Sequence, residues 1–374
     1  MIIKSLKLIN HRNYLNETIN FHENTNILIG KNAQGKTNLL EAIYLCARGY
    51  SFKNVKDDQL INFHNNESYL RADIVIGKRK RSVELKLSRN EKKKVRINEI
   101  PIDSMNELKS QFGVVLFSPE ELKTIKESPS LRRSFIDKLI GNNDVIYKEL
   151  LIDYNKTRMN RNSLLKNRRN TKYFDQMIET LDKQLVEYGA KIAIYRYKYI
   201  LMVKEYARQY HDFLTSNKEV LDIGYENNFT SRMDSLDTIR EDYHEKLENN
   251  RHREYEQLSS LYGPHRDDLS IDINGLDTRV YASQGQQRTA MLALKMAEAK
   301  MIEKLTSVKP ILLLDDVFSE LDNQRARLLV DLIKGYQTII TTNSIDNIDT
   351  SIMEGRIFKI ETGKATLLNS KERK

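Results

Sequence analysis

Eight residues near the start, Gly30-Lys31-Asn32-Ala33-Gln34-Gly35-Lys36-Thr37, match the phosphate-binding pattern G-x-x-x-x-G-K-[ST]. Asn26-Ile27-Leu28-Ile29 before them reads as a short buried strand. Asn38 to Ala47 after them reads as an amphipathic helix. In a strand–loop–helix of this kind, backbone N–H groups and the helix N-terminus face a triphosphate. Glycines at 30 and 35 let the backbone curl around it. Lys36 is then predicted to reach the β/γ-phosphates and the Thr37 hydroxyl to ligate Mg²⁺.

A second half-site follows far downstream. Ile311-Leu312-Leu313-Leu314-Asp315-Asp316 is an aliphatic run of the central-strand type ending in two acids. Acids at that edge stand where α/β sheets bind ligands. Asp315 is predicted to hold Mg²⁺ opposite Thr37, and Asp316 to polarise the attacking water.

The chain of 374 residues is long enough for about two domains. Its one cysteine, Cys46, rules out a disulfide framework or a cysteine metal cluster and is expected to be a packed core thiol. With no stretch of membrane-spanning length, a soluble cytoplasmic chain is expected. The net charge of +9 makes nucleic acid a plausible partner, and the distribution says more. Lys78 to Arg96 carries ten Lys/Arg against two Glu, and Lys156 to Lys172 seven against none. The DNA-contact candidates are Arg79, Lys80, Arg81, Lys92, Lys93 and Lys94 in the first stretch, and Arg161, Arg168 and Arg169 in the second. Contacts through phosphates are expected, since nothing points to base readout.

Val83, Leu85 and Leu87 alternate with polar residues, as do Val95 and Ile97, flanking Arg89-Asn90-Glu91 like hairpin arms. From Pro119 to about Tyr262 the pattern turns helical, with helices expected at 131–140, 145–165 and 175–214. Met177, Leu181, Leu185, Tyr188, Ile192, Tyr195, Tyr199, Met202 and Tyr206 form a seam suited to a short antiparallel arm. Strands return after Gly263-Pro264. Nucleotide-binding parts therefore lie at both ends, around a helical insertion.

Ser283-Gln284-Gly285-Gln286-Gln287-Arg288 opens a predicted helix, and Ser319-Glu320-Leu321-Asp322 follows the acid pair. With GKNAQGKT, CARGYSFK, VVLFSPEEL, GPHRDDL and LLLDDVFSELD in this order, the chain resembles the ABC-type ATPase heads of the SMC-like class. More closely, it resembles the RecF family of bacterial recombination mediators. The resemblance implies an α/β fold: an ABC-type ATPase head with a mixed sheet built from residues 1–120 plus 263–374, and an inserted α-helical domain over 121–262.

It further implies that Ser283, Gly285 and Gln286 form a signature completing the ATP site of a second copy, with Ser283 on the γ-phosphate. ATP and Mg²⁺ would hold a homodimer on DNA at gaps or single-/double-strand junctions. A slow ATPase would act as a timer in recombinational repair, replication restart and the SOS response. RecR and RecO would be partners in recombinase loading. Other readings are an SMC-like DNA tether, a transporter ATPase subunit, and an ATP-binding module without meaningful hydrolysis. The long insertion and the basic stretches weigh against the transporter. Asp316 stands where many such heads have Glu, which predicts slow turnover. Ser118-Pro119-Glu120 replaces the Q-loop glutamine, and Thr342-Asn343 stands where a switch histidine is absent. His265, Arg266 and Asp267 receive no role from sequence.

Overall fold

The computed structural model describes residues 1–53, 55–109, 112–344 and 354–368. Strands in the first third are β1 (Ile2–His11), β2 (Tyr14–Asn20), β3 (Thr25–Ile29), β4 (Glu67–Ile76), β5 (Arg79–Ser88), β6 (Lys94–Ile97), β7 (Ile100–Pro101) and β8 (Val114–Phe117). Later strands are β9 (Leu221–Glu226), β10 (Asp268–Ile273), β11 (Leu276–Asp277), β12 (Ile311–Asp315), β13 (Thr338–Thr342), β14 (Gly355–Glu361) and β15 (Lys364–Leu367). The helices are α1 (Lys36–Arg48), α2 (Met105–Lys109), α3 (Lys123–Lys126), α4 (Pro129–Gly141), α5 (Val145–Lys166), α6 (Phe174–Thr215), α7 (Leu236–Asn249), α8 (Arg251–Gln257), α9 (Gln284–Thr306) and α10 (Asn323–Ile333).

Residues 1–122, 210–218 and 288–374 form one compact unit. Its central sheet has the order β15-β14-β3-β13-β12-β8, parallel except for β15. Side chains alternate across a strand, and in β12 both sets are apolar. Ile311 and Leu313 join a core with α1 residues Leu39, Leu40, Ile43 and Cys46 and with β1 and β4 residues of a second sheet, ordered β2-β1-β4-β5-β6-β7. Leu312 and Leu314 join the opposite core, with Leu292 and Met296 of α9 and Leu329 and Ile333 of α10. Helix α1 is therefore covered by apolar side chains from both sheets. That accounts for Cys46, which is wholly buried and whose thiol pKa burial pushes up.

Residues 123–209 and 219–287 form a second unit. Tyr147 of α5 stacks near Tyr195 of α6, and Arg161 of α5 meets Asp182 of α6, so the two helices run antiparallel. The buried stripe of α6 runs through Ile178, Leu185, Ala193, Ile200, Val203 and Ala207. It is rotated from the expected seam, of which Leu185, Ile192 and Tyr199 are buried while Met177 is 47% exposed. The segment expected to be helical contains β9. Its residues Leu221 and Ile223 are buried and pair with Ile273 and Ile271 of β10. Because β10 is hydrogen-bonded to β9, residues 263–287 group with this unit, whereas the sequence places them with the ATPase half.

Candidate functional site

The loop after β3 has the sharp turns its glycines allow. Ala33 and Gly35 have φ of 65° and 114°, and a Cβ on Gly35 would stand 2.6 Å from the Asn13 amide nitrogen. A Cβ on Gly30 would stand 2.3 Å from the Ile360 carbonyl oxygen, so β14 approaches closely there. Helix α1 starts at Lys36, with its first turn free of acids, as suits an anion at the N-terminus. The loop borders a polar cleft of about 280 Å³ lined by Asn32, Ala33, Gly35, Lys36, Thr37, Asn38, Lys53, Asp315, Asp316, Thr341 and Asn343. Gly30, Lys31 and Gln34 belong to the loop but not to the lining. The Gly30 and Lys31 carbonyls accept from Lys36 Nζ at 2.5 and 3.0 Å, and the Gln34 side chain accepts from Thr362 N at 2.7 Å.

Lys36 also donates to Asn343 Oδ1 at 2.9 Å. Burial lowers the Lys36 pKa, against the opposing pull of Asp316 and Asp315. Thr37 Oγ1 donates to Asp315 Oδ1 at 2.9 Å, and Thr341 Oγ1 donates to the same oxygen at 2.7 Å. Burial raises the Asp315 pKa, partly offset by these two hydroxyls. A hydroxyl beside a buried carboxylate is a hard-oxygen pair that fits Mg²⁺. Asp316 takes a left-handed φ of 53°, fixed by its N–H donating to Thr341 Oγ1 at 3.0 Å and to the Thr341 carbonyl at 3.2 Å. Its Oδ1 is buried without a hydrogen-bond partner among the described residues. An acceptor left open in a phosphate-sized cleft suits a water-orienting base.

Ser283 and Gln286 cap α9 reciprocally: Gln286 N donates to Ser283 Oγ at 3.3 Å, and Ser283 N to Gln286 Oε1 at 2.8 Å. Ser283 is exposed, and neither it nor Gly285 nor Gln286 lines the cleft. In the segment after β12, Ser319 Oγ donates to the Asp316 carbonyl at 2.8 Å, and Asp322 caps α10 through Arg325 N at 2.9 Å. Glu320 is held from α9 by Arg288, at 3.0 Å between Nε and the carboxylate.

The basic residues are not one patch. The expected hairpin is present, with Val83 opposite Ile97 and Leu85 opposite Val95. Arg79 and Lys80, however, lie at the β4–β5 turn, and Lys92 to Lys94 at the β5–β6 turn, at opposite ends of β5. Ten strand residues span roughly 30 Å. Arg79 and Lys80 are exposed and Arg81 is half-buried. Lys92 is exposed, Lys94 pairs with Glu91, and Lys93 is held by the Gly49 carbonyl and Asp57 at 2.6 and 2.8 Å.

Arg161 is not a surface contact. It is fully buried, bonded to Asp182 at 2.6 Å, Glu254 at 2.5 Å and Ser260 at 3.0 Å. Charge counting missed that α5 buries Tyr147, Tyr154, Thr157, Arg161 and Leu164 on one face. Arg168 and Arg169 are exposed, with the Arg168 guanidinium 4.0 Å over the Tyr255 ring.

His265 and Asp267 serve a buried network. His265 Nε2 lies 3.0 Å from the Ser260 carbonyl and Nδ1 lies 2.7 Å from the Tyr154 hydroxyl. Asp267 accepts from Arg196 at 2.7 Å and from the Tyr225 hydroxyl. Four cleft residues were not assigned from sequence: Asn38, Lys53, Thr341 and Asn343. Lys53 lies within CARGYSFK, and Asn343 directly follows β13.

A family model described as RecF/RecN/SMC N terminal domain matches residues 2–365. A DNA replication and repair protein RecF of Clostridium perfringens (strain SM101 / Type A) is 39% identical over 365 residues, 97% of this chain and 99% of that protein. The chain belongs to the RecF family. A solved structure of the recombination mediator protein RecF with ATP, in the RecFOR pathway, is 37% identical with a TM-score of 0.88, covering 98% of both chains. An Smc head domain of Pyrococcus furiosus, bound to the C-terminal domain of ScpA, shares the fold at 16% identity and a TM-score of 0.57, covering 98% of this chain and 96% of that one. The ABC-type head expected from sequence is thus the fold of the RecF family. No helix among the described residues is long and apolar enough to cross a membrane.

Proposed function

We propose that this RecF-family chain is an ATP-dependent DNA-binding protein of recombinational repair. The observation that carries the reading is the cleft in which Lys36, Thr37, Asp315 and Asp316 meet, from segments about three hundred residues apart. Lys36 and the loop N–H groups would hold the phosphates of ATP, and Thr37 with Asp315 would hold Mg²⁺. Asp316 would orient the attacking water in slow hydrolysis. The exposed Ser283 with Gly285 and Gln286 would complete the site of a second copy, giving an ATP-dependent homodimer on DNA at gaps or junctions. The RecFOR pathway of the similar solved protein supports RecR and RecO as partners and recombinase loading as the outcome. Hydrolysis would time release, and the setting would be the cytoplasm. Arg79, Lys80, Lys92 and Arg169 are the DNA contacts that their exposure supports best.

The test measures association state and DNA affinity with ATP, ADP and no nucleotide, for wild type, Lys36→Met, Asp316→Asn and Ser283→Arg. The expected result is an ATP-dependent dimer that Asp316→Asn traps and Ser283→Arg and Lys36→Met abolish. A monomer indifferent to ATP overturns the reading.

A further inference from the structure

Phe63 is 94% exposed, the most exposed large hydrophobic side chain among the described residues. Its loop is not slack. Asn62 N donates to the Asn10 carbonyl at 2.9 Å, and Asn62 Nδ2 donates to the Arg12 carbonyl at 2.7 Å. His64 N donates back to Asn62 Oδ1 at 3.1 Å, and Asn65 N to the Asn62 carbonyl at 3.0 Å, closing a tight turn around the ring. On the far side, Arg89 N donates to the Asn66 carbonyl at 3.1 Å and Arg89 Nε to the Asn65 carbonyl at 3.2 Å. The turn that anchors this loop also grips the nucleotide site. Arg12 pairs with Glu41 of α1 at 3.0 Å, and Asn13 donates to the Gln34 carbonyl at 2.8 Å.

Hydrogen bonds on both sides fix the loop so that the ring is held out to water, where it adds no burial to the free chain. The surroundings name the occupant. Beside Phe63 lies the β5–β6 turn, where Arg89 and Lys92 are exposed and have no acidic partner among the described residues. Glu91 and Glu67 nearby are neutralised by Lys94 and Lys86. The flanking residues are Asn62, His64, Asn65 and Asn66, hydrogen-bonding groups that do not extend the ring into the apolar centre a protein interface needs. Cations for phosphates around one isolated aromatic suit a nucleic acid with an accessible base.

We propose that Phe63 stacks on an unpaired base, or wedges into the terminal step, where single-stranded DNA meets duplex, while Arg89 and Lys92 hold the adjoining phosphates. This rests on the DNA-binding reading above and adds the group that distinguishes a junction from plain duplex.

The chain has no tryptophan, so Phe63→Trp introduces a single fluorescent reporter at an exposed position. The probes are a short duplex with a single-stranded tail and the same duplex with hairpin-closed ends, in Mg²⁺ and ATP. Tailed DNA is expected to quench the emission of the Phe63→Trp chain, and closed duplex to leave it unchanged. Phe63→Ala should weaken binding of tailed DNA about tenfold and leave closed duplex alone. Unchanged emission with normal binding by Phe63→Ala, while Arg89→Glu still weakens binding, overturns the stacking role and leaves the DNA reading standing. Equal loss on both DNAs, or loss of the ATP-dependent dimer, assigns Phe63 to an interface between copies and overturns it too. Wild type that binds neither DNA sinks the functional reading itself.

Discussion

The Lys36 ammonium stands 2.9 Å from Oδ1 of Asn343, a residue 307 positions away. All three oxygens it contacts, on Gly30, Lys31 and Asn343, are neutral. A phosphate entering the cleft therefore exchanges neutral acceptors for an anionic one, which makes the stronger hydrogen bond. Asn343→Asp puts a competing carboxylate there. Its affinity for a non-hydrolysable ATP analogue is expected to fall at least about tenfold by titration calorimetry, and that of Asn343→Ala by no more than about threefold. Equal affinities for the two variants would show that Asn343 does not face the phosphates.

Arg161 balances two buried carboxylates, so its removal strands Glu254 and leaves Asp182 only the Arg251 guanidinium at 3.2 Å. Arg161→Met is expected to lose about 3–5 kcal/mol in urea unfolding. The salt slope of DNA binding should stay that of wild type, because no phosphate contact is removed. A flattened slope with unchanged stability would restore Arg161 to the DNA surface.

Alanine ordinarily favours a helix over glycine by about 1 kcal/mol. At Gly189, inside α6, the sign should reverse. An added Cβ would stand 2.5 Å from Cε1 of Tyr243, whose hydroxyl is fixed on the Tyr262 carbonyl at 2.9 Å. Gly189→Ala is expected to destabilise by about 1–3 kcal/mol. A higher melting temperature for the variant would refute this.

Two histidines make the fold acid-sensitive. Burial holds the His11 pKa at about 4 and that of His265 at about 3. The Ser260 carbonyl can only accept, so His265 Nε2 carries the proton and Nδ1 accepts from Tyr154, the neutral tautomer. Both folded values lie below the unfolded value of about 6.5, so below that pH the unfolded chain binds more protons. Stability is then complete above pH 6.5 and falls as pH drops toward 4 and 3. By about pH 5 each histidine accounts for about 2 kcal/mol. Urea midpoints compared at neutral pH and near pH 5 should fall less for His265→Gln than for wild type. An equal fall means that His265 does not contribute.

The pairing of Thr37 with Asp315 was legible because each half carries its own pattern: glycines at set spacing in one, an aliphatic run ending in acids in the other. Strand partners follow from the period-two alternation of apolar residues, as in Val83, Leu85 and Leu87, all wholly buried. Arg161 was not legible from charge, yet its spacing from Tyr147, Tyr154 and Leu165 is helical and would have placed it inside. The α6 stripe was misread by about one position, because Met177 and Ile178 are equally apolar and only packing chooses between them. Strand β9 is six residues with a central Gly224, too short to announce itself within a helical stretch. Lys53 sits in CARGYSFK, but nothing in that stretch marks a phosphate-facing lysine; only the folded loop brings it to the cleft.

The strand that carries the phosphate loop, β3, is flanked by β13 and β14. Thr25 waits for Thr338, 313 positions later. A ribosome adding about 5–20 residues per second leaves β3 without either neighbour for about 15–60 s. Throughout that interval Ile27 to Ile29 are sticky and unpaired, a segment for chaperones to shelter. The acids of β12 arrive only shortly before that wait ends. A nascent chain therefore has a phosphate loop long before it has a site, and nucleotide binding is among the last capacities the protein acquires.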